Sequence, residues 1–313
     1  MIISSDRTVQ SAMSEAVFAG FEVHELSTSR GTVHAVVGGS GPPLLLLHGY
    51  PQSHLMWRAV APLLAARYTV VASDLAGYGA SFRPNPTPDH DPHGKRSMAL
   101  DQVEAMAALG FDSFAVAGHD RGGRVAYRMA LDHPTRVQRL AVLDIVPTGE
   151  VWRRADRHFA RGYWHWAFLA QPAPLPERLI GAAPDAFFDF HVRAGMGLGV
   201  ESTRYPREVM DAYRRVFDDE GALEAMCEDY RAGASVDVAH DDADLEAGRR
   251  IDCPVLVLWA GRGGLPRFYT DVVEVWRPWA PDVRGEAVDA SHFLAEDRPE
   301  ETADHLLAFL AAS

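Results

Sequence analysis

The 313-residue sequence predicts an α/β fold: a mostly parallel central sheet flanked by helices, with a helical block inserted after the sixth strand. Three observations lead there. Short continuous apolar runs, the mark of strands buried on both faces, alternate with helical patterns in the first and last parts of the chain. One such run passes through a glycine-flanked turn straight into a helix. Between residues 148 and about 239 the alternation stops, and Trp, Tyr, Phe, Arg and Ala accumulate with no clear strand.

Taken in order, residues 21–26 and 32–37 read as two antiparallel strands joined at Ser29-Arg30-Gly31. The apolar run 43–47 is a buried strand that ends in His48-Gly49-Tyr50-Pro51. That loop belongs at the carboxyl edge of the sheet, where open α/β folds bind ligands. A helix over 56–66, a strand over 68–73, a glycine-punctuated loop over 74–81 and a proline-rich surface loop over 83–92 follow. Next come a helix over 95–109, a strand over 114–117, a helix over 125–133 and the sixth strand over 137–143. Beyond the insertion, strands are expected at 254–259 and 283–288, with helices at 271–279 and 299–311. The acidic run from His240 to Glu246 reads as a solvated connection. Residues 1–20 read as a loose tail, which leaves 21–147 and 240–313 as an α/β core and 148–239 as a helical cap.

Composition narrows the function. A hydrophobic content of 47% supports a substantial core, and a net charge of -13 repels nucleic acid and anionic membrane. No stretch approaches the roughly 20 apolar residues of a membrane span. The two cysteines, Cys227 and Cys253, lack zinc or disulfide spacing, and a cytoplasmic protein without metal or cofactor is expected. His48, His119, His133 and His158 have no metal-ligand spacing either. An anionic substrate would have to be held by local positive charge.

The chemistry centres on Gly118-His119-Asp120-Arg121-Gly122, between strand and helix. A nucleophile elbow holds its central residue in a strained conformation and needs small neighbours where backbones approach. Here the central residue is Asp120, so the nucleophile is a carboxylate, which displaces a leaving group from saturated carbon and leaves an ester for water to cleave. The alternative is a glycine-rich turn whose aspartate caps the helix. Water activation needs a base, and His292, in the loop after the last strand, stands downstream as the elbow's base should. An acid must orient that base. Trp259 is followed by Ala260-Gly261-Arg262-Gly263-Gly264-Leu265-Pro266, without an acid, whereas Leu143 is followed at once by Asp144, which is therefore the choice. A backbone N–H of the 48–51 loop and that of Arg121 could together form an oxyanion hole.

Arg121 and Arg124, spaced by three, share a helical face. Two guanidiniums beside a carboxylate favour its ionised form and can grip a substrate carboxylate through forked hydrogen bonds. Alternatively they bridge to the insertion.

With Gly118-His119-Asp120-Arg121-Gly122-Gly123-Arg124 in view, the chain resembles the fluoroacetate (haloacetate) dehalogenases of the α/β-hydrolase superfamily. The likeness extends through His48-Gly49-Tyr50-Pro51-Gln52-Ser53-His54, Leu143-Asp144-Ile145, Trp164-His165-Trp166, Met226-Cys227-Glu228-Asp229-Tyr230-Arg231 and Ser291-His292-Phe293-Leu294. It implies the α/β-hydrolase fold and a small haloacid substrate. In this reading Asp120 attacks the α-carbon, Arg121 and Arg124 hold the carboxylate, and His292 with Asp144 drives ester hydrolysis. It further implies that His165, Trp166 and Tyr230 donate hydrogen bonds to the departing halide, and that the protein forms a homodimer. Imidazole, indole and phenol are suitable donors; the alternative is a cap helix packing its aromatic face on the core. Two positions depart from the family's usual residues: Tyr50, where many members have phenylalanine, and His191, which aligns with a frequent tryptophan. Both bear on the pocket and hence on substrate range. An epoxide hydrolase of the same fold and a non-catalytic small-acid receptor are the competing readings. The arginine pair and His165-Trp166 weigh against the first, and the intact Asp120, His292 and Asp144 against the second.

Overall fold

A computed structural model describes residues 13–14, 16–197 and 205–312. Eight strands form one sheet in the order β1-β2-β4-β3-β5-β6-β7-β8. They are β1 (Glu22–Ser27), β2 (Thr32–Gly38), β3 (Pro43–Leu47), β4 (Thr69–Ser73), β5 (Phe114–His119), β6 (Val137–Leu143), β7 (Val255–Ala260) and β8 (Val283–Val288). The β1–β2 and β2–β4 pairs are antiparallel, and all pairs from β4 through β3 to β8 are parallel. Apolar runs dictate this. Leu44, Leu45, Leu46 and Leu47 are completely buried, as residues covered by helices on both faces must be.

The connectivity fixes where a ligand can bind. From β3 the chain crosses to β4 on one side and then returns to β5 on the other, so the strand order reverses between β3 and β5. The crevice outside the carboxyl ends of these two strands is the natural ligand position in an open α/β sheet. Into it project the His48-Gly49-Tyr50-Pro51 loop after β3 and Asp120 after β5. The elbow helix, Arg121–Asp132, is buried over Arg121 to Leu131 because β5, β6 and the helix Lys95–Ala108 enclose it.

Between β6 and β7 the described residues form helices only, among them Thr148–Arg153, Arg157–Gly162, Trp164–Leu169, a π-helical turn Phe188–Arg193, Arg207–Arg215, Glu220–Gly233 and Val236–Glu246. The helix Glu220–Gly233 is tied to the rest of the fold by charge. Asp229, fully buried, accepts from Arg121 and from Lys95, and takes the Tyr78 hydroxyl at 2.6 Å. Trp152 Nε1 donates to the Gly233 carbonyl at 2.8 Å, joining the two ends of the insertion.

Three details differ from the sequence expectation. The helix expected over 56–66 is a 3-10 turn, His54–Trp57, and a separate short helix, Ala61–Leu64. Pro62 in its first turn has no N–H for a continuous helical ladder. The run from His240 to Glu246 is not a solvated connection but lies in the helix Val236–Glu246, with Asp237, Asp241 and Asp244 buried. Each acid has a partner in the core: the Lys95 backbone N–H donates to Asp237 (2.7 Å), the Tyr127 hydroxyl to Asp241 (2.9 Å), and Arg128 pairs with Asp244. In the expected tail, Ser14 and Phe18 are buried, and Ser14 Oγ lies 2.8 Å from His54 Nε2.

Next to the charged anchor, His93 is buried with both ring nitrogens lacking a partner among the described residues. Burial pushes its pKa down to about 4, against the pull of Glu228 and Asp229. The unfolded chain, with an ordinary imidazole near 6.5, therefore binds more protons between about pH 4 and 6.5. Stability contributed by this site should rise with pH across that window and be complete above it, by up to ~3 kcal/mol. Urea unfolding of wild type and His93→Leu at pH 4.5 and 7.5 checks this: the wild type should lose more stability on acidification than the variant.

Candidate active site

Asp120 sits at the junction of β5 and the elbow helix with φ 47° and ψ -115°, a conformation costly for a residue with a side chain. Its neighbours make that possible. A Cβ on Gly118 would lie 2.4 Å from the Gly122 carbonyl oxygen, and one on Gly122 would lie 2.3 Å from the His48 carbonyl oxygen. The turn can tighten against β3 only because both are glycine. Asp120 Oδ1 accepts the backbone N–H of Tyr50 at 2.9 Å, while Oδ2 faces His292 Nε2 at 3.9 Å.

His292 is carried by the loop after β8, and its Nδ1 lies 2.6 Å from Asp144 Oδ2. Asp144 follows β6 with φ 53°, and its other oxygen accepts the Ala260 N–H at 2.9 Å. A carboxylate so held fixes the imidazole with Nδ1 protonated and Nε2 turned toward Asp120. Burial favours the neutral imidazole, but the hydrogen bond and charge of Asp144, with the charge of Asp120, outweigh it and raise the His292 pKa. For Asp120, burial would favour protonation, yet His292, His119, Arg121 and Arg124 hold its pKa below the ordinary carboxylate value. His119 supports the loop, its Nε2 lying 2.8 Å from the His292 carbonyl oxygen.

Arg121 and Arg124 lie on the same face of the elbow helix and meet different partners. Arg121 donates from Nε and Nη2 to Asp229, at 2.9 and 2.5 Å, and from Nη2 to the Asp229 carbonyl at 2.7 Å. Arg124 donates from Nη1 to the Val146 carbonyl at 3.0 Å and to Thr148 Oγ1 at 3.1 Å. Each retains a buried nitrogen with no hydrogen-bond partner among the described residues, Nη1 of Arg121 and Nε of Arg124. The Arg124 guanidinium stacks 4.5 Å from the Trp166 ring centroid and that of Arg121 4.4 Å from the Tyr230 centroid. Burial and the charge of Arg121 lower the Arg124 pKa, so an anion placed between the two would relieve their repulsion.

A cavity of about 560 Å³ opens over this group, lined by Tyr50, Asp120, His165, His191, Tyr230 and His292 among others. Trp166 is buried beneath, beside a void of about 20 Å³ that also touches Asp120, Arg124, Asp144 and His292. That is room for one water. His165 has a buried Nδ1 with no partner among the described residues, and burial keeps its pKa well below the ordinary imidazole value. His191, in the π-helical turn, stands 4.3 Å from the His165 ring, and Tyr50 packs at 5.8 Å from His191 and 5.3 Å from Tyr230. Of the ten residues singled out from the sequence, these six line the large cavity, Arg124, Asp144 and Trp166 line the small void, and Arg121 lines neither, its guanidinium packing on the Tyr230 ring.

Sequence reasoning missed Asp229, Lys95 and Tyr163. Asp229 precedes Tyr230 in a recognisable motif, but nothing in the sequence says its partner is Arg121. Tyr163 stacks on Phe159 at 5.6 Å and lines both the large cavity and the small void. The Asp229 anchor has an energetic consequence. Removing one partner of a buried ion pair leaves the other charge uncompensated, at a cost of about 3–5 kcal/mol. Asp229→Ala should therefore shift the urea midpoint by that equivalent, and a shift below about 1 kcal/mol would mean that Lys95 and Arg121 find other partners.

His34, His54 and Asp74 bring ligand-type atoms within 4.8 Å of one another. Those atoms already serve a core network: His54 Nδ1 lies 2.9 Å from Asp74 Oδ1, and His34 Nδ1 2.7 Å from Glu25.

The sequence profile of the α/β-hydrolase fold family matches residues 42–299. A fluoroacetate dehalogenase from Burkholderia sp is 46% identical over 94% of this chain and 95% of that relative. The chain belongs to the haloacetate dehalogenase family of the α/β-hydrolase superfamily. A soluble epoxide hydrolase from Corynebacterium sp. (strain C12) is more distant within the superfamily, at 32% identity over 92% of this chain and 96% of that enzyme. The crystal structure of ALR0039 from Nostoc sp PCC 7120 superposes with a TM-score of 0.90 at 47% identity, covering 95% of this chain and all of the other. Among the described residues no helix is long and apolar enough to cross a membrane.

Proposed function

We propose that the protein hydrolyses the carbon–halogen bond of haloacetates, turning fluoroacetate into glycolate and fluoride through an ester on Asp120. One observation carries this reading: an ionised elbow carboxylate is flanked by two arginines, each with a buried N–H still to be satisfied. A substrate carboxylate fills that need and places the adjacent carbon before Asp120. Oδ2 attacks that carbon and the halide leaves from the opposite side. His165, Trp166 and Tyr230, on helices of residues 148–239 that act as a cap, donate hydrogen bonds to the forming anion. Fluoride concentrates its charge, so such donors lower the barrier where charge develops.

The second step uses the remaining geometry. Oδ1, already held by the Tyr50 N–H, becomes the ester carbonyl oxygen and then the oxyanion of the tetrahedral intermediate. His292, oriented by Asp144, takes a proton from water as the water adds to the Asp120 carboxyl carbon. Collapse expels the glycolate alkoxide, which takes its proton back from His292, and loss of the carboxyl proton to solvent restores the Asp120 carboxylate. Tyr50 and His191 shape the space beside the α-carbon and set which substituents fit.

The likeness to an epoxide hydrolase supports the same covalent logic with a neutral substrate, which would leave the arginine N–H groups unmatched. The assay that decides is fluoride release from fluoroacetate by ion-selective electrode, with glycolate measured in parallel. Equimolar fluoride and glycolate are expected. No halide from fluoroacetate or chloroacetate, together with hydrolysis of styrene oxide, would reverse the assignment.

A further inference from the structure

The cavity above Asp120 is far larger than a two-carbon acid fills, and its outer part has an unusual charge. Among the described residues lining it, the charged ones besides Asp120 are Arg161, Arg262 and Arg267. The chain as a whole carries -13. Arg262 is neutralised by Asp289 at 2.7 Å, whereas Arg161 and Arg267 are exposed and have no ion-pair partner among the described residues. They come from opposite sides of a seam, Arg161 from the helix Arg157–Gly162 and Arg267 from the turn Leu265–Phe268 after β7. The seam is tight: a Cβ on Gly162 would lie 3.0 Å from the Phe268 ring, and that ring sits 5.2 Å from Tyr163. The residues on either side of this contact are therefore the two unpaired arginines.

We infer that Arg161 and Arg267 form an outer anion station, which draws small carboxylates to the mouth of the cavity before the buried Arg121 and Arg124 take them. The inference rests on the haloacetate reading for its natural ligand. Its physics is independent of the reaction. A carboxylate approaching an acidic protein meets net repulsion, and at low salt two unscreened guanidiniums at the mouth convert that into local attraction. At about 0.1 M salt the screening length is ~10 Å, so the effect acts within the mouth and fades as salt rises. The inner pair, shielded from solvent, keeps its hold at any ionic strength. Capture at the mouth alters how often substrate arrives and leaves the chemistry of bound substrate untouched.

The test compares wild type with Arg161→Gln/Arg267→Gln and Arg161→Glu/Arg267→Glu, using chloroacetate at 10 mM and 500 mM NaCl. In the glutamine variant kcat/KM should fall roughly threefold to tenfold at low salt, converge on wild type at high salt, and leave kcat the same. The glutamate variant should reverse the salt dependence. A kcat/KM that responds to salt equally in all three proteins would overturn the outer station. A second readout needs no turnover: quenching of tryptophan fluorescence by iodide, with Trp164 in the cavity wall. Iodide should quench wild type more strongly than the glutamine variant, while neutral acrylamide quenches both alike. Equal iodide quenching would also sink the proposal, whereas absence of halide release from wild type would remove only the haloacetate reading.

Discussion

Asp120→Asn is expected to lower haloacetate turnover by a factor on the order of 10⁴ or more, because the amide is a poor nucleophile and displacement has no substitute route. Two structural facts make this the largest expected effect. The elbow offers no alternative carboxylate, since its immediate neighbours are His119 and Arg121 and the next positions, Gly118 and Gly122, are pressed against backbone. The ionised state of Asp120 also depends on His292, His119, Arg121 and Arg124 acting together against burial. An isotope experiment tests the same point in the unaltered protein. In heavy-oxygen water, the first turnover should place label in the Asp120 carboxylate, and the glycolate should carry an oxygen that came from the protein. Label in first-turnover glycolate would mean that water attacks the α-carbon directly.

His292→Ala should separate the two half-reactions. Displacement requires no proton transfer, so chloroacetate should still alkylate Asp120, whereas hydrolysis of the ester requires a base for water. Intact-mass measurement should find a glycolyl adduct accumulating within one turnover time, with steady-state release of glycolate reduced by at least about 10³-fold. Normal turnover in this variant would assign the base elsewhere. The pH dependence of ester hydrolysis follows from the same site. His292 has a raised pKa in the free protein partly through the charge of Asp120, and esterification removes that charge. The pKa must therefore be lower in the intermediate than in the free enzyme. Ester hydrolysis in single turnovers should fall as pH drops through that lower value, and direct titration of His292 in the resting protein should give a higher one. Coincidence of the two would show that Asp120 charge does not reach the imidazole.

Sequence patterns revealed the sheet because continuous apolar runs of this length are too short to cross a membrane as helices and have few uses other than strands buried on both faces. Chain order alone brings Asp120, Asp144 and His292 to one edge of the sheet, because each lies beyond the carboxyl end of a strand. Asp229 illustrates what stayed hidden. Its pairing with Arg121 and Lys95 depends on how a helix of the insertion settles on the core, which no local pattern encodes. The acidic helix Val236–Glu246 misled for a similar reason: Asp241 and Asp244, within the run from His240 to Glu246, read as solvated until their partners Tyr127 and Arg128 on the elbow helix are known. His165, Trp166, Tyr230 and His191 were legible only through family likeness, since aromatic residues on helices ordinarily pack.

The Arg121–Asp229 bridge also acts as a gauge. Arg121 is the residue after Asp120, and Asp229 the residue before Tyr230; the guanidinium holds both the carboxylate and the main-chain carbonyl of Asp229. One side chain thus sets the span between the oxygen that would attack and the phenol that would receive what leaves. A bond being broken along that span grows from carbon–fluorine to carbon–iodine, while the span itself is locked by a doubly anchored contact. On the haloacetate reading, selectivity among halogens would be a matter of caliper as well as of bond strength, and Asp229, which sets the jaw, lines no part of the cavity.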